Sequence, residues 1–205
     1  MKPVIALTKG RLEKQFLDFF SSLGYEIKPL VEKGRKLRVE TDQFEFIFAK
    51  GVDVTTYVQY GIADLGVVGG DILAEYQPDI YDLFPLPFGH CRMAVAKEKD
   101  KKWPTQKKTI ASKYTKITKA FFKANGESVD IIKLEGSVEL APILGLADGI
   151  VDIVETGTTL KENGLIIDEE FLTFSARLIA NRSSLKIKRE ELGVIIESLK
   201  QKEAF

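Results

Sequence analysis

Twice along this chain a Gly-x-Ala-Asp tetrapeptide leads into an apolar run that ends in a glycine loop. The first is Gly61-Ile62-Ala63-Asp64 with the run that follows to Gly70, and the second is Gly145-Leu146-Ala147-Asp148 with the run through Val154 to Gly157. A second echo accompanies it: FFSSLG at 19–24 returns as FFKANG at 121–126, each closing a helix that enters a strand. Glycine ends a helix, aspartate sits in the turn, and a strand buried on both faces carries its loop to the ligand side of a mostly parallel sheet. Each string is weak alone, so chance recurrence is the competing reading. The repeat predicts an α/β fold of two similar lobes with mostly parallel sheets, lobe I being 1–88 plus 180–205 and lobe II 89–179.

Composition narrows what such a pair of lobes can do. Thirty basic side chains balance thirty acidic ones, and there is one histidine and one cysteine in 205 residues. A structural zinc site needs about four Cys or His ligands, and a disulfide framework needs pairs of cysteines, so both classes are excluded. Zero net charge speaks against a nucleic-acid binder that relies on a broad basic surface; any anion site must be focused. No apolar run approaches the roughly 20 residues of a spanning helix, and the N-terminus has too short an apolar stretch for a signal peptide. A cytoplasmic protein is expected, without a membrane or nucleic-acid partner.

The hydrophobic pattern alternates short strands with amphipathic helices. Val4 to Leu7 reads as a strand; Leu12, Phe16, Phe19, Phe20 and Leu23 recur at helical spacing, with Gly24 as the stop. Leu37 to Thr41 and Phe44 to Ala49 form a hairpin about Asp42 and Gln43, Val54 to Tyr60 a short helix, and Asp64 to Gly70 a buried strand. After a pause at Pro85 to Gly89 a new unit opens at His90. In the last stretch Leu192, Ile195, Ile196 and Leu199 share one helical face between Arg189 and Lys200.

The strongest chemical signal is GIVDIVETGTTL at 149–160. An apolar strand interrupted by Asp152 ends in Glu155, Thr156, Gly157, Thr158 and Thr159, and Leu160 and Lys161 begin a helix. Gly157 permits a positive φ and close backbone approach, the N–H groups of the turn point inward, and the threonine hydroxyls add donors. Carboxylates repel phosphate but accept hydrogen bonds from ribose hydroxyls, so Asp152 and Glu155 ahead of such a cradle spell phosphoribose. The plainer reading is a helix N-cap and turn. Neither GxxxxGK[ST] nor GxGxxG occurs in the chain.

Three further loops are candidates. Lys9-Gly10-Arg11 places two cations and a glycine where the first strand delivers its loop, and a guanidinium can fork onto a phosphate. Basic residues in a first turn oppose the helix dipole, which weighs against a merely solvated helix start. Lys50-Gly51 repeats the order after the hairpin strand. Glu135-Gly136-Ser137 follows a strand at Asp130 to Leu134 and is either an anion or base-edge contact or, through Ser137, an N-cap. Trp103, in a lysine-rich loop, has a surface or interface role.

LTKGRL, GIADLGVVGGD, CRMAVA and EGSVELAPILGLADGIVDIVETGTTLKENGL, in this order, resemble the short form of the ATP phosphoribosyltransferase family. The stretch 135–165 is the specific part. The resemblance implies a two-lobed fold similar to type II periplasmic binding proteins with the site between lobes, and transfer of the phosphoribosyl group of phosphoribosyl pyrophosphate to N1 of the ATP adenine, the first step of histidine biosynthesis. It implies Mg²⁺ as cofactor, with metal ligands unassigned. Carried over by position, phosphoribosyl pyrophosphate falls on Asp152, Glu155, Thr156, Gly157, Thr158, Thr159 and Leu160. Lys9 and Arg11 fall near the reacting phosphates, and Gly10, Lys50, Gly69, Asp71, Glu135, Gly136 and Ser137 on the ATP and pyrophosphate side. Thr8 and Thr115 stand where the family often has proline, which leaves local loop geometry open. The chain ends at Phe205, whereas long-form members carry a regulatory domain; short members resemble partners of a separate subunit similar to histidyl-tRNA synthetase. A hetero-oligomer with a homodimeric catalytic core is expected.

Substitution at C1 of a ribosyl pyrophosphate passes through an oxocarbenium-like state. The protein must align donor and acceptor and neutralise the departing pyrophosphate, with no covalent nucleophile. Two other readings stand beside it: a two-lobed solute-binding or sensor protein for a phosphorylated metabolite, without turnover, and a phosphoribosyltransferase acting on another base.

Overall fold

A computed structural model describes residues 2–200. In chain order the elements are β1 (Val4–Thr8), α1 (Arg11–Ser22), α2 (Lys28–Val31), β2 (Arg38–Glu40), β3 (Glu45–Ala49), α3 (Gly51–Gln59), β4 (Leu65–Gly69), α4 (Gly70–Tyr76) and β5 (Tyr81–Pro85). There follow β6 (Cys91–Glu98), β7 (Lys108–Ser112), α5 (Thr115–Ala124), β8 (Val129–Lys133), α6 (Leu140–Ile143), β9 (Gly149–Val154), α7 (Thr158–Glu162) and β10 (Leu165–Phe174). The chain closes with β11 (Ala176–Ala180), α8 (Ser184–Ile187) and α9 (Arg189–Lys200). Internal contacts divide it into unit 1, up to His90 and again from Ser175, and unit 2, Cys91–Phe174. No described helix is long and apolar enough to cross a membrane.

Unit 1 is built on a six-stranded sheet in the order β2-β3-β1-β4-β11-β5. The period-two alternation of β1 assigns its faces: Ile5 and Leu7 join a core with Phe16, Phe20, Phe46, Phe48 and α9 residues Leu192, Ile195 and Leu199, while Ala6 faces a smaller core with Val54, Val58 and Ile179. Phe20 anchors the larger core, stacked on Phe16 at 5.1 Å and on Tyr25 at 4.2 Å between ring centroids. Such rings supply much of the burial energy, each about 1.5–3 kcal/mol. Unit 2 has a five-stranded sheet, β10-β6-β9-β7-β8, over a core of Ala94, Ala111, Ile150, Val154 and Leu160.

Both sheets are mixed, which corrects the expectation that they are mostly parallel. Three neighbouring strands in each unit pair in parallel, β3-β1-β4 and β8-β7-β9, because helices cross over between them. The returning strands β11 and β5, the hairpin strand β2 and the long pair β6 and β10 are antiparallel. The hydrophobic pattern does not announce α2, α4 or β5; the last is largely exposed and lies at a sheet edge, so it lacks the apolar run of a buried strand.

The repeat is present in the hydrogen bonds. Asp64 accepts from Val4 N at 2.9 Å, and Asp148 accepts from Thr109 N at 2.8 Å, so each Gly-x-Ala-Asp aspartate fastens the start of its unit's first parallel strand. Gly61 and Gly145 have φ of 72° and 70°, and Gly24 and Gly126, which end α1 and α5, have 90° and 73°. At the other end of those first strands, Thr8 Oγ1 donates to Val67 O at 2.9 Å and Ser112 Oγ to Val151 O at 2.6 Å.

Candidate active site

Parallel strands flanked by crossover helices deliver their following loops to one edge of the sheet, the edge where α/β proteins bind ligands. In unit 1 that edge carries Lys9, Gly10 and Arg11 after β1, Lys50 after β3, and Gly69 and Asp71 where β4 enters α4. These three strands are neighbours, so all six residues are brought to one edge. Lys9 N donates to Ala49 O at 2.8 Å, tying the first loop to the end of β3. Gly10 has φ 94°, and its N–H reaches back to Glu13 Oε2 at 3.4 Å, an acidic group in the first turn of α1 beside the cationic loop. Lys9, Gly10, Arg11 and Lys50 are exposed, whereas Asp71 is 7% exposed. A side chain at Gly69 would overlap the Asp71 carboxylate, which therefore lies directly over the end of β4.

Unit 2 repeats the arrangement. Glu135, Gly136 and Ser137 follow β8, Asp152 lies within β9, and Glu155 to Leu160 follow it. Gly157 adopts φ 78°, ψ 5°, the left-handed conformation that glycine enters without steric cost. It caps α7, which begins at Thr158, two residues before the expected start at Leu160. Thr158 and Thr159 thus form the first turn. The Thr156 and Thr158 hydroxyls lie 3.0 Å apart, and Thr158 N donates to Thr156 Oγ1 at 3.3 Å. Hydroxyls rotate, so the same groups can turn to a phosphate oxygen. Asp152 is half-buried with Oδ1 accepting from Ile153 N at 2.8 Å; Glu155, Thr156, Thr158 and Thr159 are exposed.

Leu160 and Ser137 stand apart from the exposed loop residues around them. Leu160 is 6% exposed and belongs to the core of unit 2, so only its backbone can serve a ligand. Ser137 is not an N-cap: α6 is capped at Glu139, with no side-chain cap bond. Ser137 instead has φ 47°, an uncommon conformation for a residue with a Cβ, and with exposed Gly136 it makes a tight turn at the end of β8. Glu135 pairs with Lys133 at 2.8 Å.

Sequence reasoning missed Thr8 and Ser112. Their hydroxyls lock the end of each unit's central parallel strand to its neighbour, and Ser112 Oγ also accepts from Tyr114 N at 2.9 Å. A hydroxyl residue followed by lysine at the end of both central parallel strands was the available signal. Trp103, expected at a surface or interface, is half-buried. It packs on Gly149, where a side chain would overlap its ring, and donates from Nε1 to Asp168 Oδ2 at 2.9 Å. Partial burial raises the Asp168 carboxyl, but the Trp103 hydrogen bond and the Lys97 and Lys108 charges outweigh it and hold the group below its ordinary value. Among the described residues, no group of three or more His, Cys, Asp or Glu is arranged to hold a metal ion.

Known proteins carry the same layout. Residues 50–201 match the family model described as ATP phosphoribosyltransferase. ATP phosphoribosyltransferases of Bacillus cytotoxicus and Bacillus mycoides are 50% and 51% identical, covering 95% and 96% of this chain and 94% and 95% of their own. Among solved structures, an ATP phosphoribosyl transferase (HisG:HisZ) complex from Thermotoga maritima matches at TM-score 0.83 and 35% identity over 97% of each chain. The alkanesulfonate-binding protein SsuA of Xanthomonas axonopodis matches at TM-score 0.64 with 13% identity, covering 98% of this chain and 72% of that one. That likeness is one of fold, and it places the chain with the type II periplasmic-binding-protein-like folds. At half identity along nearly the whole length, this chain belongs to the ATP phosphoribosyltransferase family.

Proposed function

We propose that this chain transfers the phosphoribosyl group of phosphoribosyl pyrophosphate to N1 of the adenine of ATP, releasing pyrophosphate, the first step of histidine biosynthesis. One observation carries the reading within the family: Asp152, Glu155 and the Thr156–Thr159 turn about left-handed Gly157 form one strand-turn-helix at the end of β9. The turn takes the 5′-phosphate on N–H and hydroxyl donors, while Asp152 and Glu155 accept from the ribose hydroxyls. Lys9 and Arg11 neutralise the departing pyrophosphate. Gly10, Lys50, Gly69, Asp71, Glu135, Gly136 and Ser137 hold ATP and the leaving diphosphate.

The chemistry asks for little else. The adenine N1 lone pair forms the new bond to C1 as the bond from C1 to the pyrophosphate oxygen breaks, and that electron pair leaves with the pyrophosphate. N1 carries no proton, so no strong base acts before attack; the proton lost afterwards comes from the exocyclic amine. Orientation and charge neutralisation remain as the protein's task. Mg²⁺ favours one or two carboxylates beside substrate phosphates, and Asp71, Asp152 and Glu155 offer such oxygens at the two strand edges. When bound, the ion neutralises charge on the diphosphate.

A cytoplasmic enzyme is proposed, working with a separate subunit that resembles histidyl-tRNA synthetase in a hetero-oligomer around a homodimeric catalytic core. Binding without turnover is not favoured, since the likeness to solute-binding proteins is confined to fold. The test is direct: the chain is mixed with ATP, phosphoribosyl pyrophosphate and Mg²⁺, with and without the partner subunit, and pyrophosphate release is followed. Release that requires both substrates is expected; binding of either substrate with no release under any of these conditions would overturn the assignment.

A further inference from the structure

We propose that Lys113 is a second substrate-phosphate ligand, the counterpart in unit 2 of Lys9 in unit 1. Thr8 and Ser112 each end the central strand of a parallel triplet, and each donates its hydroxyl to a carbonyl of the neighbouring strand, Val67 and Val151. The residue after each is a lysine. Lys113 therefore enters the loop after β7, between the Glu135–Ser137 turn that follows β8 and the Glu155–Leu160 loop that follows β9. Ser112 pins this position, being fully buried, bonded forward to Val151 O and accepting from Tyr114 N.

Charge points the same way. Removing an ammonium group from water has a cost that native proteins offset with a carboxylate. The other half-buried lysines follow that rule: Lys33 pairs with Glu13 at 3.1 Å, Lys97 with Asp168 at 3.2 Å, Lys101 with Glu98 at 3.2 Å, Lys108 with Glu127, and Lys188 with Asp64 at 2.8 Å. Lys113 is half-buried and has no carboxylate partner among the described residues. Its ammonium nitrogen lies 5.7 Å from the Tyr114 ring centroid, a weak substitute. An unpaired ammonium at a ligand-binding sheet edge, beside a phosphate-binding turn, is completed by an anionic oxygen from the substrate. Both substrates carry phosphates, and position between the two loops fits either, so the shared ligand chemistry is a substrate phosphate.

This inference rests on the proposed transferase reading, and its test separates the two. Lys113→Met keeps the aliphatic stem and removes the charge; Lys113→Arg keeps the charge. Calorimetry on the full chain with Mg²⁺ measures phosphoribosyl pyrophosphate and ATP separately, and pyrophosphate release is followed with the partner subunit present. Loss of a charge-assisted contact weakens affinity about tenfold to a hundredfold. The expected result is a loss of that size in Lys113→Met for one substrate, a shallower salt dependence for that substrate, and substantial recovery in Lys113→Arg. The substrate affected identifies which phosphate is held. If the unaltered chain turns over and Lys113→Met binds both substrates normally, Lys113 is not a ligand and the transferase reading stands. Equal weakening for both substrates together with a lowered melting temperature would mean a structural role and overturn the proposal. An unaltered chain that binds neither substrate removes both.

Discussion

Replacing Gly157 by alanine separates a turn from a phosphate cradle. A built Cβ at this position meets only Val154 Cγ1, at 3.7 Å, an ordinary van der Waals distance. Crowding therefore adds nothing, and the cost is the backbone conformation alone: φ 78° holds an L-residue in the left-handed region, at about 1–2 kcal/mol. For a chain of this size each kcal/mol lowers Tm by about 2–4 °C, so Gly157→Ala should melt roughly 2–8 °C below the parent. If the turn binds the 5′-phosphate, the added methyl also stands where the ligand approaches the backbone. Losing one charge-assisted hydrogen bond, about 1.5–3 kcal/mol, weakens phosphoribosyl pyrophosphate roughly tenfold to a hundredfold. Calorimetry with Mg²⁺, at a temperature where the variant is fully folded, reads the affinity, and thermal unfolding followed by circular dichroism reads the stability. ATP affinity measured alone should change little. A variant that shows the computed loss of Tm but binds phosphoribosyl pyrophosphate within about twofold of the parent would mean that the glycine serves the helix start, and the cradle assignment would fall.

The two repeat aspartates should differ in what their removal costs. Asp64 is 2% exposed and accepts from Val4 N, Ser184 Oγ and Lys188 Nζ, so Asp64→Ala should cost about 3–5 kcal/mol, as for breaking a buried ion pair. Half-buried Asp148 accepts, among the described residues, from Thr109 N alone, so Asp148→Ala should cost about 1–3 kcal/mol; urea unfolding that reversed this order would refute the account. Asp168, held below its ordinary value chiefly by Trp103 and Lys97 against the opposing effect of burial, contributes stability that is present above its unfolded value of about 3.9 and is lost as pH falls through the lower folded value. Unfolding of Asp168→Asn across that acid range should lack this component, and an acid profile parallel to that of the parent would count against the pairing.

How much of this was legible beforehand depends on where each signal is stored. The helix over Arg189–Lys200 and the stop at Gly24 are local: a 3.6-residue apolar period and a residue tolerant of positive φ are properties of a short window. Gly157 was readable for the same reason. The antiparallel return strands were not, because pairing direction depends on which distant segment closes the sheet, and β11 reads like any other short apolar run. Ser137 misled because a serine three residues before a helix looks like a cap, while its φ of 47° is set by the turn off β8. Leu160 stands in the proposed binding loop through the family resemblance, and with α7 starting at Thr158 its side chain joins the core, which leaves its backbone for a ligand.

The repeat explains why a chain with one histidine and one cysteine loses nothing by that poverty. Each unit presents the ends of three neighbouring parallel strands, locked by one buried or half-buried aspartate at the start and one hydroxyl at the finish of the central strand. What differs between units is the chemistry of the loops: exposed cations and a glycine in unit 1, carboxylates ahead of a threonine-rich turn in unit 2. A transfer that needs a sugar phosphate held and a diphosphate neutralised divides along the same line, since the carboxylates that accept from ribose hydroxyls repel a phosphate. Most of the exposed cations of the site thus stand on one copy of the scaffold and the carboxylates ahead of the threonine-rich turn on the other. Arg92 illustrates the alternative: it ion-pairs with Glu170 at 2.7 Å within unit 2, and a cation so paired offers less to a phosphate.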